Sequence, residues 1–266
     1  MPGFGHLCRD FSGLGVGRGQ VVLLHSSLSS LGHVEGGAAT VVAALRALLG
    51  DDGTLVVPSG TPSNSDTSPV YRRAVAGMSA DQVAGHRSRM PPYDLDSTPS
   101  ELTGRVAEHV RTLPGARRSA HPHTSFAAVG PQAAAITAGH ARDCLLGERS
   151  PLARLYDADA LVLLLGVGFE RCTAFHLAEY RYTDHPPRRT YRGVVDDGDG
   201  RVWCEFEDVT VDASDFGVLG AGFEATGAVR RGRVGAAQAR LFSLVAAVDH
   251  ATDWFTSHRT PDQTTR

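Results

Sequence analysis

The residue whose type and setting best suit proton chemistry is His176, in the run Thr173-Ala-Phe-His-Leu-Ala-Glu179. An imidazole titrates near neutrality and can take a proton from a substrate. Glu179 stands three residues on, which is the same face of a helix, and a neighbouring carboxylate raises the basicity of a histidine. The same spacing also fits a surface ion pair or a core histidine with its hydrogen bonds satisfied. H-x-x-E can be half of a metal site, but no second such motif occurs in the sequence.

Three further groups could do chemistry. His25-Ser-Ser-Leu-Ser-Ser-Leu-Gly32 follows an apolar run and precedes a helix, so its backbone N–H groups suit phosphate or carbonyl oxygens; a plain loop with a serine cap fits as well. Arg118-Ser-Ala-His121-Pro-His123 holds two histidines around a proline. His121 is expected to be structural, bonded to its own loop, and His123 to be exposed. Acidic residues Asp66, Asp94, Asp96 and Asp184 suggest either solvated loops or an electronegative cleft that concentrates cations.

The elements that must position these groups read as α/β. Gln20 to Leu24 and Thr54 to Val57 are short apolar runs, expected as buried strands, and Gly36 to Leu49 between them has helical spacing. That order predicts a βαβ unit with parallel strands. Leu161 to Val167 is the most apolar run and should lie centrally in the sheet, with His176 in the helix after it. Ligands bind at the carboxyl ends of such strands. Helices are also expected at Ser100 to Leu113, from Pro131, and at Ala236 to Trp254, with a short strand at Ser125 to Val129. Residues 59 to 98 lack clear periodicity and read as a substrate-side flap. Tyr191 to Val195 and Val202 to Phe206, around Asp-Asp-Gly-Asp-Gly200, predict a hairpin within a β-rich lobe at about 188 to 234.

Composition narrows the function classes. The 266 residues are 42% hydrophobic and 21% charged with net charge −3, which fits one domain, residues 1 to 266, and gives no basic surface for nucleic acid. Every basic residue is arginine, so no lysine can serve as a Schiff-base nucleophile or P-loop cation. Cys8, Cys144, Cys172 and Cys204 form no C-x-x-C pair and suit free thiols in a reducing compartment. With no leader-like segment and no apolar run of membrane length, a cytoplasmic protein without a membrane partner is expected. A homodimer is compatible with the sequence.

Taken in order, several segments resemble the aminoglycoside 3-N-acetyltransferase family. They are His25 to Gly32, Gly53-Thr-Leu-Val-Val-Pro58, Thr98-Pro-Ser100, Arg118 to Pro122 with Ser125-Phe-Ala-Ala128, Ser150-Pro-Leu-Ala-Arg-Leu155, Val162 to Gly168, His176-Leu-Ala-Glu-Tyr180 and Gly232-Arg-Val-Gly235. The likeness spans about residues 7 to 256. It implies a three-layer α/β/α fold with a central, largely parallel or mixed sheet and a small antiparallel β add-on in the C-terminal third. It also implies acetyl-CoA as donor, no metal, and a polycationic aminoglycoside as acceptor, acetylated at its 3-amino group by direct transfer in a ternary complex.

The resemblance makes His176 the general base and Glu179 its acidic partner. It places Ser26, Ser27, Leu28, Ser29 and Ser30 against the donor, with Ser125 and Phe126 close to the same region. Asp66, Asp94, Thr173, Glu179 and Asp184 are the expected acceptor contacts. Two departures stand out: Cys172 replaces the family's usual asparagine, and Pro69-Val-Tyr71 replaces a pattern with tryptophan after the proline. Competing expectations are an acetyltransferase of another amine, a metal-dependent hydrolase using His25, His121 and His176, a CoA-binding protein without catalysis, and a covalent acetyl-Cys172 route.

Overall fold

The computed structural model describes residues 2–259. Helices in chain order are α1 Phe4–Leu14, α2 Gly37–Leu49, α3 Pro69–Ala74, α4 Ala80–Arg89, α5 Gly104–Arg111, α6 Ala133–Thr137, α7 Pro151–Asp157, α8 Phe175–Ala178, α9 Phe216–Ala225 and α10 Leu244–His258. Strands are β1 Val21–Ser26, β2 Thr54–Pro58, β3 Arg117–Arg118, β4 Phe126–Val129, β5 Leu161–Leu165, β6 Arg188–Asp196, β7 Arg201–Val209, β8 Arg230–Val234 and β9 Ala237–Ser243. Among the described residues, seven strands form one mixed sheet in the order β3-β4-β2-β1-β5-β9-β8, and β6 with β7 forms a separate hairpin.

β1 is parallel to both β2 and β5, as the strand-helix-strand order predicts. The outer pairings, β2 with β4, β5 with β9 and β9 with β8, are antiparallel. The inner strands are mostly apolar because both faces are covered. Val21, Leu23, Val162 and Leu164 join a core with the residues of α6 to α10, while Val22, Leu24, Leu163 and Leu165 face the opposite core with α1, α2 and α5. This alternation produces the three-layer α/β/α arrangement. Each fully buried leucine contributes about 1.5–3 kcal/mol. Among the described residues, no helix is long and apolar enough to cross a membrane.

The structure corrects several expected boundaries. Ala236 to Trp254 is not one helix. Ala237, Ala239 and Leu241 point inward from β9 while Gln238 is exposed, and Ser243 then caps α10 by accepting from the Ala246 amide. That short alternation was masked by the stronger helical spacing after it. The helix expected from Ser100 begins only at Gly104, because Leu102 (φ 59°) and Gly104 (φ 84°) hold left-handed backbone. Leu102 is therefore exposed rather than on the buried helix face. Residues 59 to 98 contain α3 and α4. The β-rich lobe reduces to the β6–β7 hairpin, since α9 follows it and β8 joins the main sheet. Helix α1, which the sequence reading left out, buries Leu7, Phe11 and Leu14.

Candidate active site

A cavity of about 1010 Å³ opens where β1 and β5 end side by side. The parallel pairing brings both carboxyl ends to one edge, so the loops after them face each other. One wall is Ser26, Ser27, Leu28 and Ser29; the other carries Cys172, Thr173 and His176. Gly166 ends β5 with φ 69°, and a Cβ there would lie 2.5 Å from the Ser30 Cβ. Glycine therefore lets the two loops touch. Ser30 Oγ donates to the Gly166 carbonyl at 3.0 Å and lies 2.9 Å from Ser27 Oγ. Ser27 to Ser30 is thereby held as a short 3-10 turn, Leu28–Leu31, whose first amides lack intrahelical partners.

His176 and Glu179 are in contact. The imidazole Nδ1 donates to Glu179 Oε2 at 2.7 Å. His176 is only partly buried and lines the cavity, whereas Glu179 is 1% exposed. With Nδ1 engaged, Nε2 is the nitrogen available for proton transfer. Phe216 packs on the imidazole with ring centroids 4.7 Å apart. The second carboxylate oxygen, Oε1, accepts from the Asp212 amide at 2.8 Å and from Arg259 Nη1 at 2.6 Å. Both oxygens are thus fixed.

Beside this pair lies His25, at the end of β1, with Nε2 3.3 Å from Thr173 Oγ1. Burial, with a smaller contribution from nearby His176, pushes His25 down to about 3, so it stays neutral. Cys172 is fully buried, and burial pushes its thiol up to about 12.

The other expected residues divide. Ser26, Ser27, Leu28, Ser29 and Thr173 line the cavity. Ser30 instead braces the serine turn. Ser125 and Phe126, expected near the donor, are buried outside the lining; Ser125 Oγ donates to the Ser59 carbonyl at 2.7 Å and accepts from Arg118. They belong to the framework: Phe126 opens β4, and Ser125 stands just before it. Asp66 forms an ion pair with Arg87 at 2.9 Å, Asp94 accepts from the amides of Asp96 and Ser97, and Asp184 is exposed; none lines the cavity. Among the described residues, Glu170 is the one carboxylate in the lining, which also includes Arg105 and Arg171.

His121 is buried and bonded to its own loop. Its Nδ1 accepts from the amides of His123 and Thr124 at 3.1 and 3.2 Å. His123 is not exposed, contrary to expectation: it is 6% accessible, stacked on Phe206 beneath the hairpin. His121 does not line the cavity with His25 and His176, so the three-histidine hydrolase set is not assembled, and the described residues contain no group of three or more candidate metal ligands.

Sequence reasoning missed Phe216, Glu170 and the Asp212–Asp215–Arg259 cluster behind Glu179. Arg259 is 80 residues from Glu179, and no local spacing connects them.

The family model described as aminoglycoside 3-N-acetyltransferase matches residues 23–256, a span that holds His176 and Glu179 and stops short of Arg259. The SPbeta prophage-derived aminoglycoside N(3')-acetyltransferase-like protein YokD of Bacillus subtilis is 38% identical over 94% of this chain and 90% of its own length. Aminoglycoside N(3)-acetyltransferase VII of Streptomyces paromomycinus is 37% identical over 93% and 89%. The crystal structure of YokD superposes with a TM-score of 0.90, at 36% identity over 96% of this chain and 94% of that one. The enzyme AAC-IIIb, in a binary complex with CoASH, superposes with a TM-score of 0.83, at 28% identity over 99% of both chains.

Proposed function

Because the chain belongs to the aminoglycoside 3-N-acetyltransferase family, we propose that it transfers the acetyl group of acetyl-CoA to the 3-amino group of a 2-deoxystreptamine aminoglycoside, with His176 as general base. The observation that carries this reading is the 2.7 Å bond from His176 Nδ1 to buried Glu179 in the wall of the cavity. The complex of AAC-IIIb with CoASH supports acetyl-CoA as donor. The cytoplasm, where acetyl-CoA is available, is the corresponding compartment.

An amine attacks a thioester only with its lone pair free. His176 Nε2 takes the amine proton as the new C–N bond forms, and Glu179 offsets the charge that develops on the imidazole; collapse of the tetrahedral intermediate breaks the C–S bond, and the CoA sulfur leaves as the thiol with the proton returned by His176. A base so placed contributes about 10²–10⁴ in rate. Donors at the serine turn suit the oxygen of the thioester carbonyl, which gains charge on attack. Direct transfer is supported by Cys172, which is buried with its thiol pushed up to about 12, a state that disfavours a thiolate able to carry the acetyl group.

A second reading has its own support. Among the described residues, Glu170 is the one carboxylate lining the cavity, while Asp66, Asp94 and Asp184 stand elsewhere. That lining suits an acceptor with fewer ammonium groups, handled by the same base. A panel of amines with acetyl-CoA, followed by free-thiol release, decides between the two. The aminoglycoside reading expects turnover of compounds with a 3-amino group and none of analogues lacking it. Turnover of simpler amines alone would establish the second reading. Unaltered turnover by His176→Ala would remove the assigned base from both.

A further inference from the structure

We propose that Arg259 is a positioning residue for the acetyl transfer, setting both the orientation of Glu179 and the charge that Glu179 presents to His176. The inference rests on His176 being the base, as above.

The guanidinium spends all three nitrogens on one cluster. Nε and Nη2 grip the two oxygens of Asp215 at 2.8 and 2.7 Å, Nη1 reaches Glu179 Oε1 at 2.6 Å, and Nη2 also donates to the Asp212 carbonyl at 2.7 Å. A two-pronged grip on Asp215 fixes the plane of the guanidinium, so the direction of the bond to Glu179 is fixed with it. Glu179 then has one oxygen for Arg259 and the Asp212 amide and the other for His176 Nδ1. Rotating the carboxylate would break bonds on both sides.

A second, apolar path runs parallel. Arg259 lies 3.7 Å over the Phe255 ring, Phe255 packs on Phe216, and Phe216 packs on the imidazole. His176 is therefore held at its edge through Glu179 and on its face through Phe216, and both supports lead to Arg259.

The charges matter as much as the geometry. A buried carboxylate alone would favour the protonated imidazole, which is useless as a base. Arg259 shares that carboxylate and offsets its field, and Asp215 in turn tempers Arg259. The other titratable groups around the pair are His25 from β1, held neutral by burial, Tyr182 after α8, and Asp212, whose carboxylate accepts from Ser214. Removing Arg259 and removing Asp215 should therefore move His176 in opposite directions. A brace that only maintained the fold would produce no such opposition.

The experiment is an NMR titration of the His176 imidazole in the ligand-free protein, assigned with His176→Gln, for wild type, Arg259→Gln, Arg259→Lys and Asp215→Asn. Arg259→Gln should raise the midpoint by roughly half a unit to one unit, Asp215→Asn should lower it, and Arg259→Lys should return it toward wild type. Kinetics with acetyl-CoA and gentamicin should show kcat of Arg259→Gln down at least about tenfold near neutral pH, with the KM for acetyl-CoA within about twofold of wild type. Unmoved midpoints, or movement of both variants in one direction, would overturn the proposal. If Arg259→Gln does not fold, Asp215→Asn and Arg259→Lys decide: an unmoved Asp215→Asn midpoint overturns it. Retained turnover by His176→Gln would instead strike the base assignment, a separate failure from that of Arg259.

Discussion

Asn64 pairs with Val194 as a neighbouring strand would. Its Oδ1 accepts from the Val194 amide at 3.0 Å, and its Nδ2 donates to the Val194 carbonyl at 2.9 Å. One side chain thus ties the segment before α3 to the middle of β6, where Val194 is fully buried. Asn64→Ala leaves the Val194 amide without that partner and should cost about 2–3 kcal/mol. Thermal melts would show the loss, and hydrogen exchange should speed first along β6 and β7. Unchanged exchange there would refute the tie.

Glu179→Gln should separate catalysis from folding. The substitution removes the charge shared by His176 and Arg259 but keeps most of the shape. Transfer should fall by about 10–1000-fold. Stability should fall by only about 1–3 kcal/mol, since Arg259 keeps both bonds to Asp215. Thiol release and a denaturant titration on one preparation test both halves. Turnover near that of the wild type would show that the carboxylate does not assist the base.

The pair itself was legible in the sequence because a three-residue step along a helix is a local fact. Its apolar setting was legible as well, from the unbroken run Leu161–Leu165 and the parallel strands it implies. What surrounds the pair was not. Asp212, Phe216 and Arg259 arrive through packing of α9 and α10, and spacing along the chain carries no record of such contacts. The same limit explains Ser125. Its neighbours in sequence resemble a donor-binding segment, yet its hydroxyl bonds with Ser59 and Arg118. His123 was misread for a simpler reason: a polar residue beside a proline in a turn-rich run suggests solvent, and only the hairpin packed over it shows otherwise.

Several buried histidines make stability depend on pH. Burial pushes His123 and His140 down to about 4 and His25 to about 3, with His121 well below its ordinary value. The unfolded chain binds these protons near pH 6.5 and the folded chain does not. Their contribution is complete above pH 6.5 and is lost as the pH falls toward 4, at about 3 kcal/mol for each group lowered to about 4. The protein should unfold cooperatively within that interval with uptake of protons. His123→Gln should shift the transition to lower pH. A flat stability profile from pH 7 to 4 would contradict the burial of these rings.

Thiol accessibility offers a further check. Cys8 and Cys204 are partly exposed, while Cys144 and Cys172 are buried and both are pushed upward by burial. A disulfide reagent at pH 8 should modify Cys8 and Cys204 in the native protein and reach the other two only after denaturation. Mass mapping identifies the sites. Rapid native labelling of Cys172 would reopen the acetyl-cysteine route.

Gly166→Ala should damage both loops at once. The substitution strains a left-handed backbone and drives a Cβ toward Ser30, at about 1–3 kcal/mol. Activity should fall with stability, because Ser27 to Ser30 must shift to make room. A melt and a thiol-release assay unchanged from wild type would mean that the two loops are not in contact.

The arrangement of β5 has a consequence for synthesis. Its five residues are all leucine or valine, and its far edge pairs with β9, Ala237–Ser243. A ribosome extends the chain by roughly 5–20 residues each second, so several seconds pass between the emergence of the two strands. During that time an apolar strand has one open side, the state in which strands of separate chains join. The most hazardous moment for this protein is thus set by strand order. Conditions that slow translation between Leu165 and Ala237 should increase what is lost to inclusion bodies.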